Sequence, residues 1–254
     1  MSINLKRRIL FSLLGLSYGL LSYIPPFGWW YSSIGTILII LFSYFIWNKN
    51  FLKHIGLQLD LKTFTKSLIL AVFVTLCAFM IMKYIAAKDN VLIKFTNWRQ
   101  YYHDIFYILN EEIVIGAILL FTLVNKRKIH PIIASVGLAV FFALIHFVFY
   151  LWIFNARGII GISTLTTLFF VGFVRNNLIL QTGHIGYSWA LHFGWMVVMF
   201  GCWHVDLDTN MGLTEPVRFN TYLGSIEMLI ISSVLAVLSL LYWMKKIQKK
   251  KLET

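Results

Sequence analysis

Eight stretches of this chain are apolar over lengths near those a helix needs to cross a bilayer, about 20 residues for a hydrocarbon core about 30 Å thick. They run Ile9–Ile24, Trp30–Trp47, Ser67–Ile85, Tyr102–Val124, Pro131–Phe154, Ile159–Leu180, Ile185–Trp203 and Ser225–Met244. Hydrocarbon offers no partner to a backbone N–H or C=O, so segments of this kind must satisfy those groups internally, as helices do. The expectation is therefore an all-α fold, a polytopic membrane helical bundle of about eight transmembrane helices. It would form a single transmembrane domain over residues 1–254. Composition excludes a water-soluble domain, because 59% of the residues are hydrophobic and only 13% are charged. The first run has a basic start and an apolar core, like a signal peptide. No small-residue cleavage site follows it, so it reads as a retained span that ends at Pro25-Pro26.

The charges lie where the runs end. The chain has 22 Lys and Arg against 10 Asp and Glu, a net charge of +12. Lys6, Arg7 and Arg8 precede the first run, and Lys49, Lys53, Lys62 and Lys66 follow the second. Lys126, Arg127 and Lys128 follow the fourth, and Lys245, Lys246, Lys249, Lys250 and Lys251 close the chain. Eight spans would put all of these on one side, which the positive-inside rule makes cytoplasmic along with both termini. The other side would carry Asp206, Asp208 and Glu215, together with the mixed Lys88–Arg99 loop. Charge so placed sets topology and meets anionic headgroups, so membrane lipids are the expected partner and nucleic acid is not. The segment "NKNFLKHIGLQLDLKTFTKS" reads as an amphipathic link beside the headgroups. Cys77 and Cys202 are far apart in apolar surroundings and read as packing residues. An integral protein of a cytoplasmic membrane follows, and the Lys- and Ile-rich composition suits a prokaryote.

Few ionisable groups lie deep in the runs. They are Glu111 and Glu112 in the fourth, His146 in the fifth, Arg175 in the sixth and His192 in the seventh. Arg175 is near enough to the end of its run to snorkel. A charge at mid-bilayer costs roughly 2.5 kcal/mol or more, so these groups should face inward and meet. A lone histidine in such a span is ordinarily a hydrogen-bonded packing residue; two carboxylates and two imidazoles from three helices suggest more. Such a set can activate water as a general base, bind zinc or iron, or relay protons in a transporter. The zinc-protease pattern H-E-x-x-H and the serine-nucleophile pattern G-x-S-x-G are both missing, so a hydrolase built here would use water as its nucleophile.

Three short motifs then occur in order: "EEIVIG" at Glu111–Gly116, "FALIH" with Phe142 and His146, and "HFGWM" at His192–Met196. Together they resemble the CPBP, or Abi, family of intramembrane proteases, related to the type II CAAX prenyl endopeptidases. Its motifs are E-E-x-x-x-R, F-x-x-x-H and H-x-x-x-N. The likeness covers Leu109 to Phe200, within a motif-bearing core of about residues 102–203. It implies a water-activating role for Glu111, with His146 helping to orient or deprotonate the water. It makes Glu112 the supporting carboxylate and His192 a stabiliser of the oxyanion. It implies a peptide or lipidated-peptide substrate, with prenylated peptides one class. No cofactor is required on this reading; a divalent metal such as zinc, if bound, would be held by Glu111, His146 and His192. Two positions depart from the pattern. Gly116 stands where the family has arginine, and Met196 where it has an amide, and a thioether cannot donate a hydrogen bond. A catalytically reduced scaffold or bacteriocin self-immunity protein is therefore the first alternative, and a proton-coupled transporter the second. Arg175, Asn176, Asn177 and Trp195 are the nearby groups that could replace what is missing.

Overall fold

The computed structural model describes residues 30–57, 60–96, 98–148 and 160–252, with Leu5; the expected span Ile9–Ile24 lies outside the described residues. The described chain is overwhelmingly helical. In order it forms α1 (Tyr31–Trp47), a 3₁₀ turn (Asn48–Asn50), α2 (Phe51–His54), α3 (Leu61–Lys88) and β1 (Val91–Phe95). Next come α4 (Trp98–Glu111), a π-helix (Glu112–Leu119), a further π turn (Thr122–Lys126) and α5 (Pro131–Val148). The chain continues with α6 (Ile162–Thr182), α7 (Gly186–Met199), β2 (Cys202–Asp206), α8 (Glu215–Tyr222) and α9 (Ile226–Leu252).

Five of these helical stretches are long and apolar enough to cross a membrane: Tyr31–His54, Leu61–Lys88, Trp98–Lys126, Ile162–Thr182 and Ile226–Met244. This fits a membrane-embedded, all-α bundle and corrects the count of eight. The apolar stretch Pro131–Phe147 falls just short of that length. The run Ile185–Trp203 does not stay helical to its end. Its helix, α7, has 14 residues, about 21 Å at 1.5 Å per residue, well short of the hydrocarbon thickness. After it the backbone pairs as a strand instead. β1 and β2 form a two-stranded ribbon. Thr96 N–H donates to the Gly201 carbonyl at 3.2 Å, and Leu207 N–H donates to that of Asn90 at 3.0 Å. Apolarity alone does not distinguish a buried strand from the end of a helix.

The helix surfaces are reversed relative to a soluble protein. α1 buries Ser32, Gly35, Thr36 and Ser43 and exposes Ile37, Leu41, Phe42 and Phe45. α3 likewise exposes Phe64, Ile69, Val72, Phe73, Leu76 and Met80. Small and polar residues between helices with apolar residues outside is the pattern expected in lipid.

Two compact units emerge. The first comprises Met1–Met80, Phe95–Lys128 and Thr182–Cys202, and the second Ile81–Lys94, Ile129–Gln181 and Trp203–Thr254. In the first, Asn110 ties α4 to α1. Its side-chain amide donates to the Ser32 carbonyl at 2.9 Å, while Thr36 Oγ1 donates to its Oδ1 at 2.7 Å. Trp189 Nε1 on α7 donates to the Ile105 carbonyl of α4 at 3.3 Å. α7 also lies almost backbone-to-backbone on α3, since a Cβ on Gly194 would stand 2.8 Å from Val74 Cβ and 2.9 Å from the Ala71 carbonyl oxygen. Gly56, at φ +70°, bonds through its carbonyl to Ile185 N–H at 2.9 Å. A Cβ there would also stand 3.2 Å from Ala117 of the π-helix.

In the second unit, Gly172 lets α6 approach α5, where an added Cβ would be 3.1 Å from Phe142 Cδ1. Asn176 donates to the Ser135 carbonyl at 2.9 Å and Asn177 to Ser239 Oγ at 3.1 Å, joining α6 to α5 and α9. Asn220 Oδ1 accepts from Gly161 N–H at 2.8 Å and from Thr164 Oγ1 at 2.9 Å. The link between α1 and α3 is shorter than the sequence suggests, because "LKTFTKS" is already the first two turns of α3.

Candidate functional site

The rotation of α4 about its axis decides which glutamate is buried, and Asn110 sets that rotation. With its amide committed to α1, a residue two positions later points about 160° away on an α-helical turn. That residue is Glu112, whose side chain faces α7 and is fully buried. Glu112 Oε1 lies 3.1 Å from His192 Nδ1. The His192 side chain is only 10% exposed, so the bond is shielded from water and is stronger than a surface contact would be. A carboxylate on Nδ1 fixes the ring and directs Nε2 to the opposite side, the arrangement by which carboxylates orient catalytic histidines.

The helix changes character at this residue. Glu112–Leu119 is a π-helix, a geometry rare in proteins and frequent at functional sites. Ile113, Val114 and Ile115 are consecutive β-branched residues, which crowd an α-helical turn. The wider π turn carries them, all buried, past Gly116 and Ala117. Glu111 is the last residue of α4 and is half-buried.

The four expected site residues fall in both units. Glu111, Glu112 and His192 belong to the first unit, and within it the structure joins Glu112 to His192. His146 belongs to the second. Its Nδ1 lies 2.7 Å from the Phe142 carbonyl oxygen one turn earlier, so Nδ1–H donates there. In the neutral ring Nε2 is then the nitrogen without a hydrogen. The ring stands edge-on to Phe142, centroids 4.6 Å apart, and tilts against Phe219.

Arg175 does not snorkel. It is 2% exposed, and its guanidinium carbon lies 4.3 Å from the centroid of the Phe142 ring, a cation–π contact that holds the charge inside the unit. Asn176 and Asn177, considered as replacement amides, have their donors engaged by Ser135 and Ser239. Gly116 and Met196 are both buried. Among the described residues no group of three or more His, Cys, Asp or Glu is arranged to hold a metal ion.

Sequence reasoning missed Asn110. It is 6% exposed and precedes the glutamate pair. The signal was present in Ser32 and Thr36, one turn apart on the neighbouring helix, which need a polar partner in a span. Compared with known proteins, the chain matches no family model, no curated protein and no solved structure.

Proposed function

We propose that this protein is an intramembrane hydrolase that cleaves a peptide bond in a membrane-associated substrate, using the chemistry its CPBP-like motifs imply. The observation that carries the reading is the buried Glu112–His192 hydrogen bond beside Glu111, at the start of a π-helix. A carboxylate buried in a membrane-spanning helix is costly, and one paired with an imidazole marks a functional site by default. In the proposed reaction Glu111 takes a proton from water, and the hydroxide oxygen adds to the scissile carbonyl carbon. Glu112 is a positioning residue that holds His192 by Nδ1. In its protonated form His192 offers Nε2–H to the oxyanion. The tetrahedral intermediate then breaks its C–N bond, and the proton held by Glu111 passes to the leaving amine. The family likeness also gives His146 a part, which His146→Ala tests on its own.

The test is hydrolysis by the purified protein in liposomes, using quenched peptide libraries with and without a farnesylated C-terminal cysteine and reading new N-termini by mass spectrometry. Wild type should cleave, Glu111→Gln should be inactive, and Glu112→Gln should lose about 10²-fold in rate, the scale of one misplaced oxyanion donor. Cleavage by Glu111→Gln at the wild-type rate would sink the proposal. The buried Gly116 and Met196 favour a second reading, a non-catalytic scaffold that binds a membrane partner. On that reading Glu111→Gln leaves the protein's function unchanged.

A further inference from the structure

We infer that the indole N–H of Trp195 is a second hydrogen-bond donor of the site, the group that binds the scissile carbonyl oxygen beside His192. The inference rests on the hydrolase reading. Trp195 Nε1 is buried, and it has no acceptor among the described residues. A buried N–H left this way costs about 1–3 kcal/mol, and native structures rarely retain one without a use. The indole nitrogen only donates, so what completes it must bring an acceptor oxygen. A peptide carbonyl does.

Its place on α7 supports the same conclusion. Gly194 faces α3, since a Cβ added there would meet Val74 and the Ala71 carbonyl. At about 100° per residue, His192 lies about 160° from Gly194, and Trp195 about 60° from His192. His192 is therefore turned away from α3, and Trp195, about 100° from Gly194, lies on the flank of α7 next to His192, which Glu112 meets. Met196, the position where the family likeness calls for an amide, is buried on the His192 side of α7 but has no hydrogen to donate. The indole one position earlier carries one.

The experiment measures kcat and KM for the cleaved farnesylated or plain peptide in liposomes with four proteins: wild type, Trp195→Phe, Met196→Asn, and the double variant. Trp195→Phe keeps an aromatic ring and removes the N–H. The expected result is a fall in kcat of about 10²–10³ with KM little changed. The double variant should regain at least ten-fold, because the asparagine amide restores a donor. Met196→Asn alone should stay near the wild-type rate, the donor position being already filled. A wild type that cleaves, with Trp195→Phe within two-fold of it, overturns the inference and leaves the hydrolase reading standing. A wild type that cleaves nothing overturns both. If Trp195→Phe does not yield folded protein in detergent, Met196→Asn alone decides: a rise of ten-fold or more overturns the inference, and an unchanged rate supports it.

Discussion

Asn110 shows how much a single polar side chain governs in this protein. Its bonds to Ser32 and Thr36 orient α4, and the orientation sends Glu112 rather than Glu111 to His192. Packing is decided as locally. At Gly194 a new Cβ would stand 2.8 Å from Val74 Cβ and 2.9 Å from a backbone oxygen of α3. Backbone cannot yield cheaply, so Gly194→Ala should destabilise the protein by about 1–3 kcal/mol and, by shifting α7, lower activity. Gly137→Ala is the contrasting case. It lies within α5, and nothing stands within 4 Å of the added methyl. It should be neutral or stabilising by up to about 1 kcal/mol, because alanine is the better helix former. Thermal unfolding in detergent checks both, and equal melting shifts for the two variants would refute the packing argument. Of the site, the ionisable letters Glu111, Glu112 and His192 were legible in the sequence, because charge in an apolar run stands out. Which glutamate meets the histidine was not, because adjacent helical residues differ by about 100° and boundaries read from apolarity are uncertain by a few residues.

At the scale of elements, the start of α3 illustrates how a helix end is chosen. Asp60 sits immediately before Leu61 and accepts from Lys62 N–H at 3.2 Å, Thr63 N–H at 3.1 Å and Thr63 Oγ1 at 2.6 Å. It thereby satisfies N–H groups that the first turn leaves open. The Thr63 hydroxyl bond, ahead of the backbone bonds, holds the Asp60 carboxyl below its usual 3.8. A carboxyl lowered in the folded state stabilises it above the unfolded value and loses that contribution as pH falls through the folded value. The first turn of α3 should thus fray only below pH 3.8, seen as faster hydrogen exchange at Lys62 and Thr63. Asp60→Asn, which caps without a charge, should remove that pH dependence; acid fraying that persists in the variant would count against the cap. At the other end Asn90, at φ +55°, follows α3 and leads into β1. The ribbon it opens lay hidden in the sequence, because "VLIKF" and "CWHVD" are too short and too apolar to separate from neighbouring helices by periodicity.

At the scale of the whole molecule, the outward apolar faces of α1, α3 and α9 make a chemical prediction. Cys77 is exposed on α3 among Phe73, Leu76 and Met80. In a bilayer that face meets lipid, which holds no water and so keeps a membrane-impermeant reagent away from it. Cys202 is buried, and burial pushes its thiol up while the Tyr101 bond partly opposes the shift. Since the thiolate is the reactive form, a membrane-impermeant maleimide should label neither cysteine in intact vesicles and both after denaturation. Rapid labelling of Cys77 in vesicles would mean that this face is in water. The membrane character of the fold and its helical class were determined by the sequence itself. Long apolar runs leave backbone groups no partner but one another, whatever the neighbours are. Only the tertiary structure decided the rest: that α7 stops after 14 residues and gives way to a strand, that Arg175 turns inward onto Phe142, and that Glu112 binds His192. Each depends on how one helix is rotated and seated against another, and that is set by contacts between residues far apart in the chain.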